Sequence, residues 1–229
     1  MGAASLTHHR RTISFATVAE LVIFDCDGVL VDSDQISLRI QAERITALGL
    51  EMSYEECVRD FLGLGMEATL ETLAERLGRP IPKEWVAELD MAVREGFQRE
   101  LKPVPGIVEA LEEIELPTCV ASSGSHEKMD LTLGLTGLWD RFAGRIFSAD
   151  EVQRGKPAPD LFLHAALRMS TPPERCVVVE DSPFGIAAAK AAGMSALGFA
   201  ATAPAARLTD ADAVFTSMAE LPELIASAV

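Results

Sequence analysis

With 229 residues, 48% hydrophobic and 24% charged, the chain is long enough to bury a real core as one large domain or two modest ones. Its formal net charge of -15 argues against nucleic acid or an anionic membrane as a partner, because both take a basic face; a small phosphorylated metabolite stays open, since a pocket can be locally positive. Charged residues interrupt every apolar run before it could span a bilayer, and four scattered cysteines without a CxxC pair (Cys26, Cys57, Cys119, Cys176) predict free thiols in a reducing cytoplasm.

Residues 1–17 read as a flexible leader. Arg10 and Arg11 are basic, but Glu20 and Asp25 break any signal-like apolar region, and His8 and His9 read as solvated. The run Val22-Ile23-Phe24 is too short for a typical helix and stops in Asp25-Cys26-Asp27-Gly28, as a buried parallel strand does at a functional edge. Strand alternation sends Asp25 and Asp27 one way and Cys26 the other. Two like charges side by side are costly unless a cation or a proton relieves them. Such a pair suits a hard metal with oxygen ligands, together with a nucleophile or an acid/base. A turn in which Asp and Gly simply end the strand also accounts for the fragment.

From 34 to 101 the pattern is helical throughout. Ile36, Ile40, Ile45 and Leu48 predict one apolar face ending at Gly49, and Ser53-Tyr54-Glu55-Glu56 is a capping box opening a second helix toward Phe61. Leu70, Leu73, Ala74 and Leu77 mark a third helix stopped by Gly78, and a fourth covers about 83–100. The block reads as an inserted all-helical cap domain, 34–101, dividing an α/β core made of 18–33 and 102–229.

After Pro103-Val104-Pro105-Gly106, helices near 106–115, 126–135, 159–168 and after Ser182-Pro183 alternate with strands near 117–121, 145–148, 176–179, 195–199 and 213–215. Residues 200–206 are alanine-rich and read as a loop. Strands alternating with helices predict a Rossmann-like three-layer α/β core around a parallel sheet, with ligands at the C-terminal strand ends. Three strands end there in polar residues: Asp25 and Asp27, Ser122 and Ser123, Glu180 and Asp181. Ser122-Ser123-Gly124-Ser125 leads into a helix and forms an anion cradle as readily as a plain N-cap at Ser125. Lys156, before Pro157, either charges a phosphate site, shields Asp25 or lies solvated in a loop. Glu180 and Asp181 read as metal ligands or exposed caps. His126 and His164 show no partner pattern and read as ordinary helix residues.

Asp25-Cys26-Asp27-Gly28-Val29, Ser122, Gly155-Lys156-Pro157-Ala158-Pro159-Asp160 and Glu180-Asp181-Ser182 resemble, in order and separation, the four motifs of the haloacid dehalogenase superfamily over about 20–200. The helical insertion is similar to the cap of the subgroup holding β-phosphoglucomutase and sugar-phosphate phosphatases. The resemblance implies an enzyme with Asp25 as nucleophile, Asp27 as acid and then base, and Ser122, Ser123 and Lys156 on the phosphoryl group. It also implies Mg²⁺ held by Asp25, the Asp27 backbone carbonyl and Asp181, with Glu180 nearby. The acid at Asp27 favours phosphoryl transfer over dehalogenation. Lys83 is the only lysine of the block and sits in a Pro-flanked segment, which disfavours phosphonatase chemistry. Ser37, where the mutases carry histidine, and the uncharged 62–66 favour a phosphatase for a small sugar or sugar-acid phosphate over a phosphosugar mutase. A non-catalytic phospho-metabolite-binding protein is the remaining alternative. A monomer is the default expectation.

Overall fold

Leu21-Val22-Ile23-Phe24 combines β-favouring side chains with complete burial on both faces, which is what a central parallel strand requires. The computed structural model describes residues 18–62, 64–201 and 204–227; the expected leader 1–17, with His8 and His9, and Gly63 of the 62–66 stretch lie outside the described residues. In chain order, β1 (Leu21–Phe24) is followed by α1 (Ser33–Ala47), α2 (Tyr54–Phe61), α3 (Met66–Leu77), α4 (Lys83–Glu100) and α5 (Ile107–Glu113). Then come β2 (Thr118–Ser122), α6 (His126–Leu135), α7 (Trp139–Phe142), β3 (Ile146–Ser148) and α8 (Asp160–Arg168). The chain closes with β4 (Cys176–Glu180), α9 (Pro183–Ala191), β5 (Ser195–Phe199), β6 (Ala213–Phe215) and α10 (Leu221–Ala226).

Among the described residues the six strands pair in parallel throughout, in the order β3-β2-β1-β4-β5-β6. This is the doubly wound arrangement, with β1 at the point where the order reverses. Period-two alternation sorts the sheet into two cores. Val22, Phe24 and Val120 face one layer with Phe142 and Ile107, while Leu21, Ile23, Cys119 and Ala121 face Phe162, Ala165 and Ile186 from α8 and α9.

Local signals act as expected at several ends. Ser53 and Glu56 complete the capping box of α2, Gly78 closes α3 in the left-handed region, and Ser182 caps α9 ahead of Pro183. The single apolar face expected for α1 is wrong in detail. Leu38 and Ala42 are buried as well as Ile36, Ile40 and Ile45, because this helix is wedged between neighbours rather than resting on one surface. The short α7 and α10 went unpredicted, being too brief to show a period. Ala205–Arg207, overlapping the end of the expected loop 200–206, forms a 3-10 turn. Strands β2 and β4 run one residue further than their apolar runs, so Ser122 and Glu180 are themselves the last strand residues.

Candidate active site

Because β1 lies between β2 and β4, register alone gathers the three polar strand ends. Phe24 stands opposite Val120 on one side and Val179 on the other, which sets Asp25 beside the ends of both neighbours. Asp25, Asp27, Ser122, Ser123, Lys156, Glu180 and Asp181 all line one cavity of about 850 Å³, whose far wall is Phe61, Leu62, Leu64, Gly65 and Met66 with Leu89 and Phe97 of α4. Every residue expected from the motifs therefore meets in one place.

The pair of aspartates is relieved by two ammonium groups, one each. Lys156 Nζ donates to Asp25 Oδ1 at 2.5 Å, to Glu180 Oε1 at 2.8 Å and to the Ala121 carbonyl at 3.1 Å, so all three of its donors are engaged. The Lys156 side chain is 5% exposed and lies 4.8 Å from the centroid of the Phe162 ring. The shielding of Asp25 is thus the role the structure displays, not a solvated loop lysine. Lys128 Nζ donates to Asp27 Oδ2 at 2.8 Å, and the Ser33 hydroxyl donates to Oδ1 at 2.5 Å. Cys26 is buried away from both carboxylates, its Sγ 4.0 Å from Thr132 Oγ1, and burial raises its thiol well above the ordinary range.

Both oxygens of Glu180 are taken. Oε1 accepts from Lys156, and Oε2 accepts from the Ser182 backbone N–H at 2.7 Å and its hydroxyl at 2.9 Å. The carboxylate packs on Gly185, where a Cβ would come within 1.7 Å of Oε1. Glu180 thereby ties Lys156 to the start of α9. Gly28, at φ +72°, fills a similar need: a Cβ there would lie 2.1 Å from Asp181 Oδ2 and 3.1 Å from Asp34 Oδ2. Ser122, almost fully buried, accepts from the Gly124 N–H at 3.1 Å, and Ser123 is exposed on the cavity wall. The Ser125 hydroxyl caps α6, as the plain reading of that serine allows.

The charges do not balance. Burial pushes the Asp25 carboxyl up to about 8, with Glu180 and Asp27 repelling it further against the attraction of Lys156. Burial raises Asp181 well above the usual range, reinforced by Asp34, Glu180 and Asp25. Asp34 is pushed up to about 7 by burial and by Asp27. Asp27 alone goes down, because Lys128 and Ser33 outweigh its burial. Three raised carboxyls around a pocket that glycine keeps open form a set of hard oxygen donors with excess negative charge, which fits a divalent cation. Among the described residues no group of three or more His, Cys, Asp or Glu side chains is arranged to hold a metal ion by itself, so a backbone carbonyl or water is needed to complete a shell.

Three contributors escaped sequence reasoning. Lys128 and Asp34 sit in the first turns of α6 and α1, and Ser33 opens α1. The available signal was position: a polar residue in the first turn of a helix leaving the C-terminal sheet edge points back at the ligand site. His126 and His164 are residues of α6 and α8, as expected, and they share a partner that no sequence pattern showed. Their Nε2 atoms lie 2.9 and 3.1 Å from the two oxygens of Glu151, which the turn after β3 brings between α6 and α8.

Known proteins match this arrangement over nearly its whole length. The family model of haloacid dehalogenase-like hydrolases matches residues 22–199. The 6-phosphogluconate phosphatase of Escherichia coli is 32% identical over 90% of this chain and 94% of its own. A haloacid dehalogenase-like protein of Agrobacterium tumefaciens superposes with a TM-score of 0.85 at 36% identity, covering 91% of this chain and 98% of that one. A HAD family hydrolase of Deinococcus radiodurans, crystallised with phosphate and sodium, gives a TM-score of 0.79 at 31% identity over 92% and 96%. With four motifs gathered at one sheet edge and these relatives spanning core and helical block alike, the chain belongs to the haloacid dehalogenase-like hydrolases.

Proposed function

We propose that the chain is a Mg²⁺-dependent phosphatase that hydrolyses a small sugar or sugar-acid phosphate through a phosphoenzyme on Asp25. The observation that carries this reading is the state of Asp25, buried at the cavity floor with Oδ1 held by Lys156 and its pKa pushed up to about 8. A carboxylate so placed is primed to react once further positive charge arrives. In the first half, Oδ2 attacks phosphorus in line, the ester P–O bond breaks, and the leaving oxygen takes a proton from Asp27. An incoming phosphoryl anion opposes the ionisation of Asp27, favouring its acid form at that moment. In the second half, water attacks phosphorus, its proton passes to Asp27, and inorganic phosphate leaves.

Asp25, the Asp27 backbone carbonyl and Asp181 would hold the metal, with Glu180, whose oxygens serve Lys156 and Ser182, acting from outside that shell. Bound there, Mg²⁺ would supply positive charge that favours the ionised form of the raised carboxyls and offsets the charge of the phosphoryl oxygens. Ser122 and Ser123 with the α6 N-terminus orient the phosphate, while Lys156, its donors engaged, contributes charge. That the Deinococcus relative binds phosphate and sodium supports a reading in which this chain takes an anion and a cation. The proposed cap, 34–101, closes the cavity and selects the substrate; its wall at Phe61, Leu62, Leu64, Gly65 and Met66 is uncharged, and Arg94 of α4, which also lines the cavity, is already paired with Asp90 and Glu127. That favours hydrolysis over a mutase acting through a bisphosphate. Four unpaired, buried cysteines suit a reducing cytoplasm, with the protein acting as a monomer on a free metabolite.

The test is a panel of phosphate monoesters, 6-phosphogluconate and hexose phosphates included, offered to metal-stripped protein with and without Mg²⁺. Release of phosphate only with the cation is expected, and Asp25→Asn is expected to lose roughly a thousandfold or more. Activity surviving that substitution would refute the phosphoenzyme.

A further inference from the structure

Asp27 is held at both ends. Its Oδ1 accepts from Ser33 at the start of α1 and its Oδ2 from Lys128 in the first turn of α6, at 2.5 and 2.8 Å. Lys128 is itself placed by Ser125, whose hydroxyl accepts from the Lys128 backbone N–H at 3.2 Å. An aspartate side chain has two torsions, and donors reaching it from two different helices fix both. Neither donor belongs to the motifs that carry the family resemblance, and Lys128 lines the reaction cavity with its side chain 34% exposed.

We propose that Lys128 is a positioning residue for Asp27 in the release of phosphate from Asp25. The inference rests on the hydrolase reading above. In this step a water oxygen bonds to phosphorus and the P–Oδ2 bond breaks, its electron pair returning to the Asp25 carboxylate. The water's proton passes to Asp27. A base serves only within hydrogen-bond reach of the proton it takes, and a displacement of about 1 Å costs on the order of a hundredfold. Lys128 and Ser33 hold the Asp27 oxygens where the water must arrive.

p-Nitrophenyl phosphate separates the two halves, because its leaving group departs as a stable anion without a proton. With this ester Lys128→Met should form the phosphoenzyme normally and hydrolyse it slowly. Expected is a burst of p-nitrophenolate equal to the enzyme present, then steady turnover slower than wild type by roughly tenfold or more, with kcat/KM within about threefold. Lys128→Arg, which keeps a cationic donor, should restore most of the steady rate. A parallel fall in kcat and kcat/KM with no burst would show a merely structural or phosphate-binding role and overturn the proposal, as would an unchanged kcat. A crystal structure of Lys128→Met with the Asp27 carboxylate unmoved would overturn it whatever the rates. If Asp25→Asn stays active, the phosphoenzyme on which this inference rests falls instead; if Asp25→Asn is dead and Lys128→Met shows no burst, only the Lys128 role falls.

Discussion

At the scale of single residues, charge pairing governs this site more than shape does. Lys156 satisfies Asp25, Glu180 and the Ala121 carbonyl with one ammonium, in surroundings that leave its side chain 5% exposed. Lys156→Met would strand two neighbouring buried carboxylates without a counter-charge. The expected loss is about 3–5 kcal/mol of stability at neutral pH, read from urea unfolding. A loss under about 1 kcal/mol at pH 7 would mean that water already solvates Asp25 and Glu180. The identity of Lys156 was visible in the motif Gly155-Lys156-Pro157. Its three partners were not, since Asp25, Ala121 and Glu180 lie 131, 35 and 24 residues away along the chain.

Among elements, α9 shows how a local signal does site work. Ser182 is extended, its hydroxyl accepts from the Gly185 N–H at 3.0 Å, and the same hydroxyl donates to Glu180. Ser182→Ala therefore removes a helix cap and one of the bonds orienting Glu180. A cost of about 1 kcal/mol is expected from the cap, and the rate should fall by more than that stability loss explains, because Lys156 loses part of its anchor. Chemical unfolding and steady-state kinetics on the same variant separate the two effects; an unaltered rate would show that Glu180 is held well enough by the Ser182 N–H and Lys156 alone. The cap was legible from Ser182-Pro183 because capping depends on adjacent residues. The burial of α1 on more than one side was not, because it depends on neighbours that arrive later in the chain.

For the whole molecule, the excess of buried acid couples stability to pH and to cations. Folded Asp25 and Asp34 have pKa values near 8 and 7, above the usual value of about 3.9 for the unfolded chain. Between about pH 4 and 8 the folded state thus binds more protons than the unfolded one, so stability falls as pH rises through that window. Asp27, shifted down, adds stability that is already complete throughout this window and is lost only on acidification below the unfolded value of about 3.9. The metal-free protein should show a Tm that declines from pH 5 to 8, and Mg²⁺ should raise Tm most at the upper end. A Tm that is flat or rising with pH in the absence of metal would contradict the charge imbalance. Calorimetric or fluorescence melts at several pH values, with and without Mg²⁺, decide it.

Short-range chemistry was enough to determine the strand ends to within a residue, the starts of the longer helices, the α/β class and the order of the motifs. Apolar period, capping and turn residues act over a few positions and can be read in one dimension. The tertiary structure decided which charges neighbour one another. It gave Asp25 and Asp27 separate lysines, turned Glu180 into a brace between Lys156 and α9, drew in Asp34 and Ser33 from α1, and paired His126 and His164 through Glu151. These are consequences of strand order, since placing β1 between β2 and β4 sets distant residues at hydrogen-bond distance. Burial at that junction then makes every unpaired charge costly.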